Sequence, residues 1–128
     1  MFKKIFASIA ILLLAGCASN QDDVAKALAK SRATAINNKA PYNSIGQYQV
    51  MKAQAREKTV ELTILYGGGG KVPPSVAAKK AAASYCSNEE LTPLFAEGVS
   101  YRILIMDMRG RTMVEQPVYT EYCQSLTK

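Results

Sequence analysis

The sequence predicts an α/β (α+β) domain: a single antiparallel-type sheet of four or five strands flanked by helices, in the order α-β-β-α-α-β-β-α, with one disulfide. Three observations predict it. Two pairs of apolar runs, 46–53 with 59–66 and 99–108 with 112–117, read as hairpins. Two alanine-rich stretches, 22–36 and 75–86, carry helical spacing and lie before and between those pairs. Two cysteines, Cys86 and Cys123, follow a segment with the features of an export signal.

That segment comes first. Lys3 and Lys4 form a charged start, and residues 5–15 are apolar apart from Ser8. This is a secretory signal in length and charge. It is shorter than the roughly 20 apolar residues that a membrane-spanning helix needs. It ends in Leu14-Ala15-Gly16-Cys17, which resembles the lipobox of bacterial lipoproteins. The resemblance implies cleavage before Cys17 and a covalent lipid on its thiol. Residues 1–16 are then the signal peptide, 17–21 a lipidated tether, and 22–128 a single domain. Ala18 and Ser19 stand where an aspartate would retain such a protein in the inner membrane, so the outer membrane is implied.

Removing Lys3 and Lys4 from 16 basic residues leaves 14 against 10 acidic ones, a net +4. The cations are scattered, which fits a solvated surface. Nothing supports a nucleic-acid role. Export places Cys86 and Cys123 in an oxidising compartment, where a disulfide is expected. The loop it closes holds about 38 residues, so chain-entropy arithmetic gives roughly 4 kcal/mol as an upper value.

The elements follow in order. Residues 22–36 form a helix with Val24, Leu28, Ala35 and Ile36 near one face, capped by Asn20 or Asp22. Asn37 to Pro41 ends it. Residues 46–53 form a strand and 54–58 a polar turn. In 59–66, Val60, Leu62, Ile64 and Tyr66 alternate with Thr59, Glu61, Thr63 and Leu65. Gly67–Gly70 reads as a mobile linker. It is not a phosphate loop, because Leu65 and Val72 stand where that motif needs a glycine and a Ser or Thr. Pro73-Pro74 opens the second helix. Ser87 with Glu90 suggests a capping box for a further short helix, with Thr92-Pro93 a second start signal and Gly98 its stop. Residues 99–108 are apolar on both sides, which marks a central strand. A turn at 107–111, a returning arm at 112–117 and a short C-terminal helix at 119–126 complete the chain.

Catalytic chemistry has little support. The chain has no histidine, and its acids are isolated or, like Glu89-Glu90, adjacent in a helical stretch and so facing different ways. The expectation is a non-enzyme with no catalytic residues, no metal and no cofactor beyond the covalent lipid. A binding module that uses apolar surface is the positive alternative.

The residues Cys17-Ala18-Ser19, Tyr48-Gln49-Val50, Thr59 to Ile64, Ser84-Tyr85-Cys86, Glu97 to Tyr101, Ile105 to Gly110 and the late Cys123 share one order and spacing with a known family. Together they resemble the pilotin lipoproteins of type II secretion systems, the AspS or GspS-beta group. The resemblance implies a sheet flanked by helices, with a disulfide, and leaves a fifth strand unplaced. It implies carriage by the lipoprotein sorting machinery to the periplasmic face of the outer membrane. It further implies binding to the C-terminal S-domain of the secretin, the multimeric export channel, and help with that channel's targeting and assembly. Candidates for the contact are apolar residues beyond those a one-sided core needs: Leu65, Leu104, Met106 and Met108. A packing role against helices is open for the same four. The rival reading is an envelope lipoprotein with a structural or modulatory binding role unrelated to a secretin.

Overall fold

The computed structural model describes residues 21–126. The expected signal peptide, the lipidation site Cys17, residues 17–20 of the tether and the last two residues lie outside them. Gln21 already belongs to the first helix.

Helix α1 (Gln21–Lys39) buries Ala25, Ala29, Ala33 and Ile36. The expected face of Val24, Leu28 and Ala35 is displaced by one step: Val24 is 44% exposed, Ala35 is exposed and Leu28 is half-buried. The reason is packing distance. Alanine lets the helix backbone approach the sheet, where a row of larger side chains would hold it off. Asp22 sits in the first turn, where a carboxylate complements the helix dipole.

Strands β1 (Tyr48–Arg56) and β2 (Thr59–Tyr66) form an antiparallel hairpin. β1 runs to Arg56, so the expected polar turn shrinks to Glu57 and Lys58, with Glu57 at φ 53°. β1 is an edge strand. The Asn37 carboxamide closes part of that edge as a neighbouring strand would. Its Nδ2 donates to Ala53 O at 2.6 Å, and its Oδ1 accepts from Ala53 N at 2.8 Å.

The glycine run 67–70 is held, contrary to its reading as a mobile linker. Gly67 N donates to Gln47 O, and Gly70 N donates to the Tyr66 hydroxyl. The Tyr66 ring stacks on Tyr48 with centroids 4.8 Å apart, and Tyr48 Oη donates to Val72 O. A Cβ on Gly70 would fall 3.1 Å from the Gln47 side chain, so the close approach favours glycine there.

Helix α2 (Pro74–Ser87) follows Pro73 and buries Ala78 and Ala82 completely. A short helix α3 (Thr92–Ala96) buries Phe95, with Leu91 buried just before it. The expected Ser87–Glu90 capping box is absent. Ser87 Oγ donates back to Ser84 O, and the Asn88 side chain takes Glu90 N instead. Asn88 lies one residue beyond α2, so its short side chain can turn the backbone before Ser87 can cap anything. Gly98 ends the segment at φ 99°.

Strands β3 (Ser100–Met106) and β4 (Thr112–Val118) form the second antiparallel hairpin, and α4 (Thr120–Ser125) closes the fold. The sheet has four strands in the order β1-β2-β3-β4. The element order and the flanking helices agree with expectation. The sheet is antiparallel within each hairpin, but β2 pairs β3 in parallel, Thr59↔Ser100 to Leu65↔Met106. The connection from β2 to β3 carries α2 and α3 and returns the chain to the end of the sheet where β2 began. Parallel neighbours require such a crossover. No fifth strand occurs among the described residues.

Both large helices cover one face. The core joins their alanines to Val60, Leu62, Tyr101, Ile103, Ile105 and Val118. Cys86 at the end of α2 is bonded to Cys123 in α4, which ties the last helix to the core.

Candidate functional site

Partnered residues in a sheet point to the same side, so the strand registers define the opposite face. Glu61, Thr63 and Leu65 of β2 stand beside Arg102, Leu104 and Met106 of β3. None of these six belongs to the helix-covered core. The face they form is therefore open, and it has two unlike ends.

At the end near the β1–β2 turn, four charges cross the four strands. Arg56 Nε lies 3.2 Å from Glu61 Oε2, and Arg102 Nη1 lies 3.7 Å from the same oxygen. Arg102 Nε reaches Glu115 Oε1 at 3.0 Å. Glu61 is only 9% exposed because the two arginines lie over it. Both guanidinium groups meet the same carboxylate oxygen and offset its charge where it is drawn under the surface. This row was not apparent in the sequence, where the four residues are separated by up to 59 positions and only strand register brings them together.

At the other end the face turns apolar. Leu65, Leu104 and Met106 are half-buried, and the structure brings these three candidates together. Met108 does not join the strand. It sits at the tip of the β3–β4 hairpin, 69% exposed. The tip is built by Asp107. Its Oδ1 accepts from the backbone N–H groups of Arg109 and Arg111, and its Oδ2 accepts from Arg111 Nε, each at 2.9 Å. The Arg111 backbone bond, followed by the bonds from its side chain and from Arg109, holds the Asp107 carboxyl below its usual range. Methionine adapts its shape to irregular partners, so Met106 extends Leu65 and Leu104 into a deformable apolar strip, with Met108 exposed at the hairpin tip beyond it.

The strip has no chemistry of its own. It can exclude water against an apolar partner, while the charge row fixes where the partner's polar side may lie. Among the described residues no group of His, Cys, Asp and Glu is gathered to hold a metal. No described helix is long and apolar enough to cross a membrane.

Three solved structures share this fold. The type II secretion system pilotin AspS from Vibrio cholerae superposes with a TM-score of 0.71 at 28% identity, over 80% of this chain and 95% of that one. The pilotin EpsS from the Vibrio vulnificus type 2 secretion system gives 0.74 at 23% identity, over 81% and 96%. A putative secreted protein from Pseudomonas aeruginosa gives 0.71 at 13% identity, over 83% and 98%; at that identity the likeness shows the fold alone. No curated protein sequence matches the chain. The family model described as Type II secretion system (T2SS) pilotin, S protein, matches residues 21–123, which run from the first turn of α1 to the second disulfide cysteine. The helices, the sheet with its open face and the disulfide all fall within that span, and the chain belongs to the type II secretion system pilotin S-protein family.

Proposed function

We propose that this chain is a lipoprotein pilotin that binds the C-terminal S-domain of the type II secretion secretin and delivers it to the outer membrane for assembly. The observation that carries the reading is the pilotin family match across residues 21–123. It is a non-enzymatic role, which needs an address and a grip.

The address is the lipid on Cys17. One buried acyl chain holds a protein only reversibly, whereas two or more hold it stably, at about 0.8 kcal/mol per buried methylene. A triacylated Cys17 therefore fixes the domain to its membrane, and the lipoprotein sorting machinery carries it to the outer one. The grip is the open face. An amphipathic segment of the secretin lays its apolar side on Leu65, Leu104 and Met106, with Met108 at the rim. Its polar side meets the row from Arg56 to Glu115.

Deleting the gene tests the reading directly. The secretin should then accumulate in the inner membrane or stay unassembled. Normal amounts of assembled outer-membrane secretin in the deletion strain would overturn it. A Cys17→Ala protein should still bind the S-domain but leave the secretin undelivered.

A further inference from the structure

On the helix-covered side of the sheet, where α1 faces the end of α2, lies a cavity of about 150 Å3. Ile36, Leu62 and Leu91 give it apolar walls, and Arg32, Tyr85 and Tyr101 line it with polar groups. Tyr101 is 1% exposed, and its hydroxyl makes no well-aligned hydrogen bond: the Arg32 guanidinium approaches it as a donor, and the hydroxyl's own proton has no acceptor. The Nε of Arg32 is buried and lacks one too. The Arg32 guanidinium stands beside the Tyr101 hydroxyl, yet among the described residues it enters none of the ion pairs.

This combination has a chemical complement. A half-buried guanidinium whose inner Nε–H is cut off from water, and a buried hydroxyl proton without an acceptor, both cost free energy. Both donors are served together by one anionic oxygen acceptor, and the planar guanidinium suits a carboxylate. The apolar walls then ask for an aliphatic stem behind it. An engineered apolar cavity of about 150 Å3 takes benzene, so roughly six heavy atoms fit such a volume. That is the size of a four-carbon acid, or of a glutamate side chain with its Cα.

We propose that this cavity is a binding site for a short aliphatic carboxylate, held at its oxygens by Arg32 Nε and Tyr101 Oη and along its stem by Ile36, Leu62 and Leu91. The acid is either free or borne by a peptide as an acidic side chain, and the two sources present the same group.

The test uses the isotope-labelled protein made from the full sequence and purified in mild detergent, titrated with butyrate and, in parallel, with butyramide. Butyrate should move the Arg32 Nε–H resonance saturably at millimolar concentration, and butyramide, equal in size but neutral, should not. Tyr101→Phe keeps the ring and should weaken butyrate binding by roughly tenfold or more, the scale of one charge-assisted hydrogen bond. Arg32→Gln should abolish it. Equal shifts with butyrate and butyramide, or undiminished binding in Arg32→Gln, would overturn the site. A second arm rests on the secretin reading: the secretin S-domain is added with and without saturating butyrate. Competition assigns the carboxylate to the secretin, and independent binding assigns it to a free acid. An S-domain that fails to bind even without butyrate would count against the secretin reading and leave the butyrate result standing.

Discussion

Replacing Asn37 by alanine removes a clamp that no other residue supplies. The carboxamide makes two bonds, at 2.6 Å and 2.8 Å, to the N–H and C=O of Ala53. Ala53 is 3% exposed, so its backbone groups are left buried when the side chain goes. Each orphaned group costs about 1–3 kcal/mol. The furrow between α1 and β1, lined by Lys30, Thr34, Asn37 and Gln54, adjoins Ala53 and admits water, which favours the low end of that range. Alanine also returns a few tenths of a kcal/mol in helix propensity. The expected net loss is about 2 kcal/mol. Urea unfolding measures it, with a midpoint lower by about 1 M for a slope of 1–3 kcal/mol/M. Amide exchange at Ala53 should quicken in step. Asn37→Asp separates the clamp from a packing effect. A carboxylate still accepts from Ala53 N but confronts Ala53 O, so this variant should be weak at neutral pH and recover as the carboxyl protonates. A loss below about 0.5 kcal/mol in Asn37→Ala, with Ala53 exchange unchanged, would refute the argument that this edge depends on Asn37.

Three further outcomes follow from other parts of the structure. Reducing Cys86–Cys123, or replacing both cysteines by alanine, should cost up to roughly 4 kcal/mol, seen as a large fall in the thermal midpoint. Burial is the largest cause raising the Tyr85 hydroxyl to about 12. The unfolded chain gives up that proton near pH 10 and the folded chain does not. Stability is therefore complete below pH 10 and falls by about 3 kcal/mol as pH rises to 12, and Tyr85→Phe should flatten that limb of the curve. Leu104→Ala and Met106→Ala should cost only about 1 kcal/mol in unfolding, because both residues are half-buried and lie outside the core, yet lower secretin S-domain binding more than tenfold in a pull-down or titration.

Strand β2 was legible residue by residue, because its alternation is strict and its ends are marked by a charged turn and a glycine run. The second hairpin was legible for a different reason: its first arm is a near-continuous apolar run, closed by the turn signal at Asp107 to Gly110. The buried face of α1 was not. Hydrophobicity ranks Val24 and Leu28 above alanine, whereas close packing on the sheet selects Ala25, Ala29 and Ala33. The parallel β2–β3 pairing left a signal that alternation does not show: two helical segments between strands of one sheet bring the chain back to its starting end. Within the open face, Leu65, Leu104 and Met106 stood out as apolar residues in excess of a one-sided core. Met108 looked like one more step of the strand, but Asp107 turns the chain before it. Arg32 and Asn37 had no local mark. One was a cation among many and the other a helix stop, and only the packing of α1 on β1 and against the end of α2 gives them their neighbours.

The two unlike ends of the sheet also give the domain a direction. Asp22 is paired with Lys58, and Lys26 with Glu57, so the start of α1 lies at the charged end. Were Cys17 lipidated as proposed, the four residues before Gln21 would reach at most about 14 Å from that end. Leu65 lies six residues further along β2 than Thr59, about 20 Å away at the rise of a strand. Under the proposed function the domain works like a short handle: a lipid on Cys17 would hold it at the bilayer by its charged end and leave the apolar end, where the cargo would sit, clear of whatever grips the lipid.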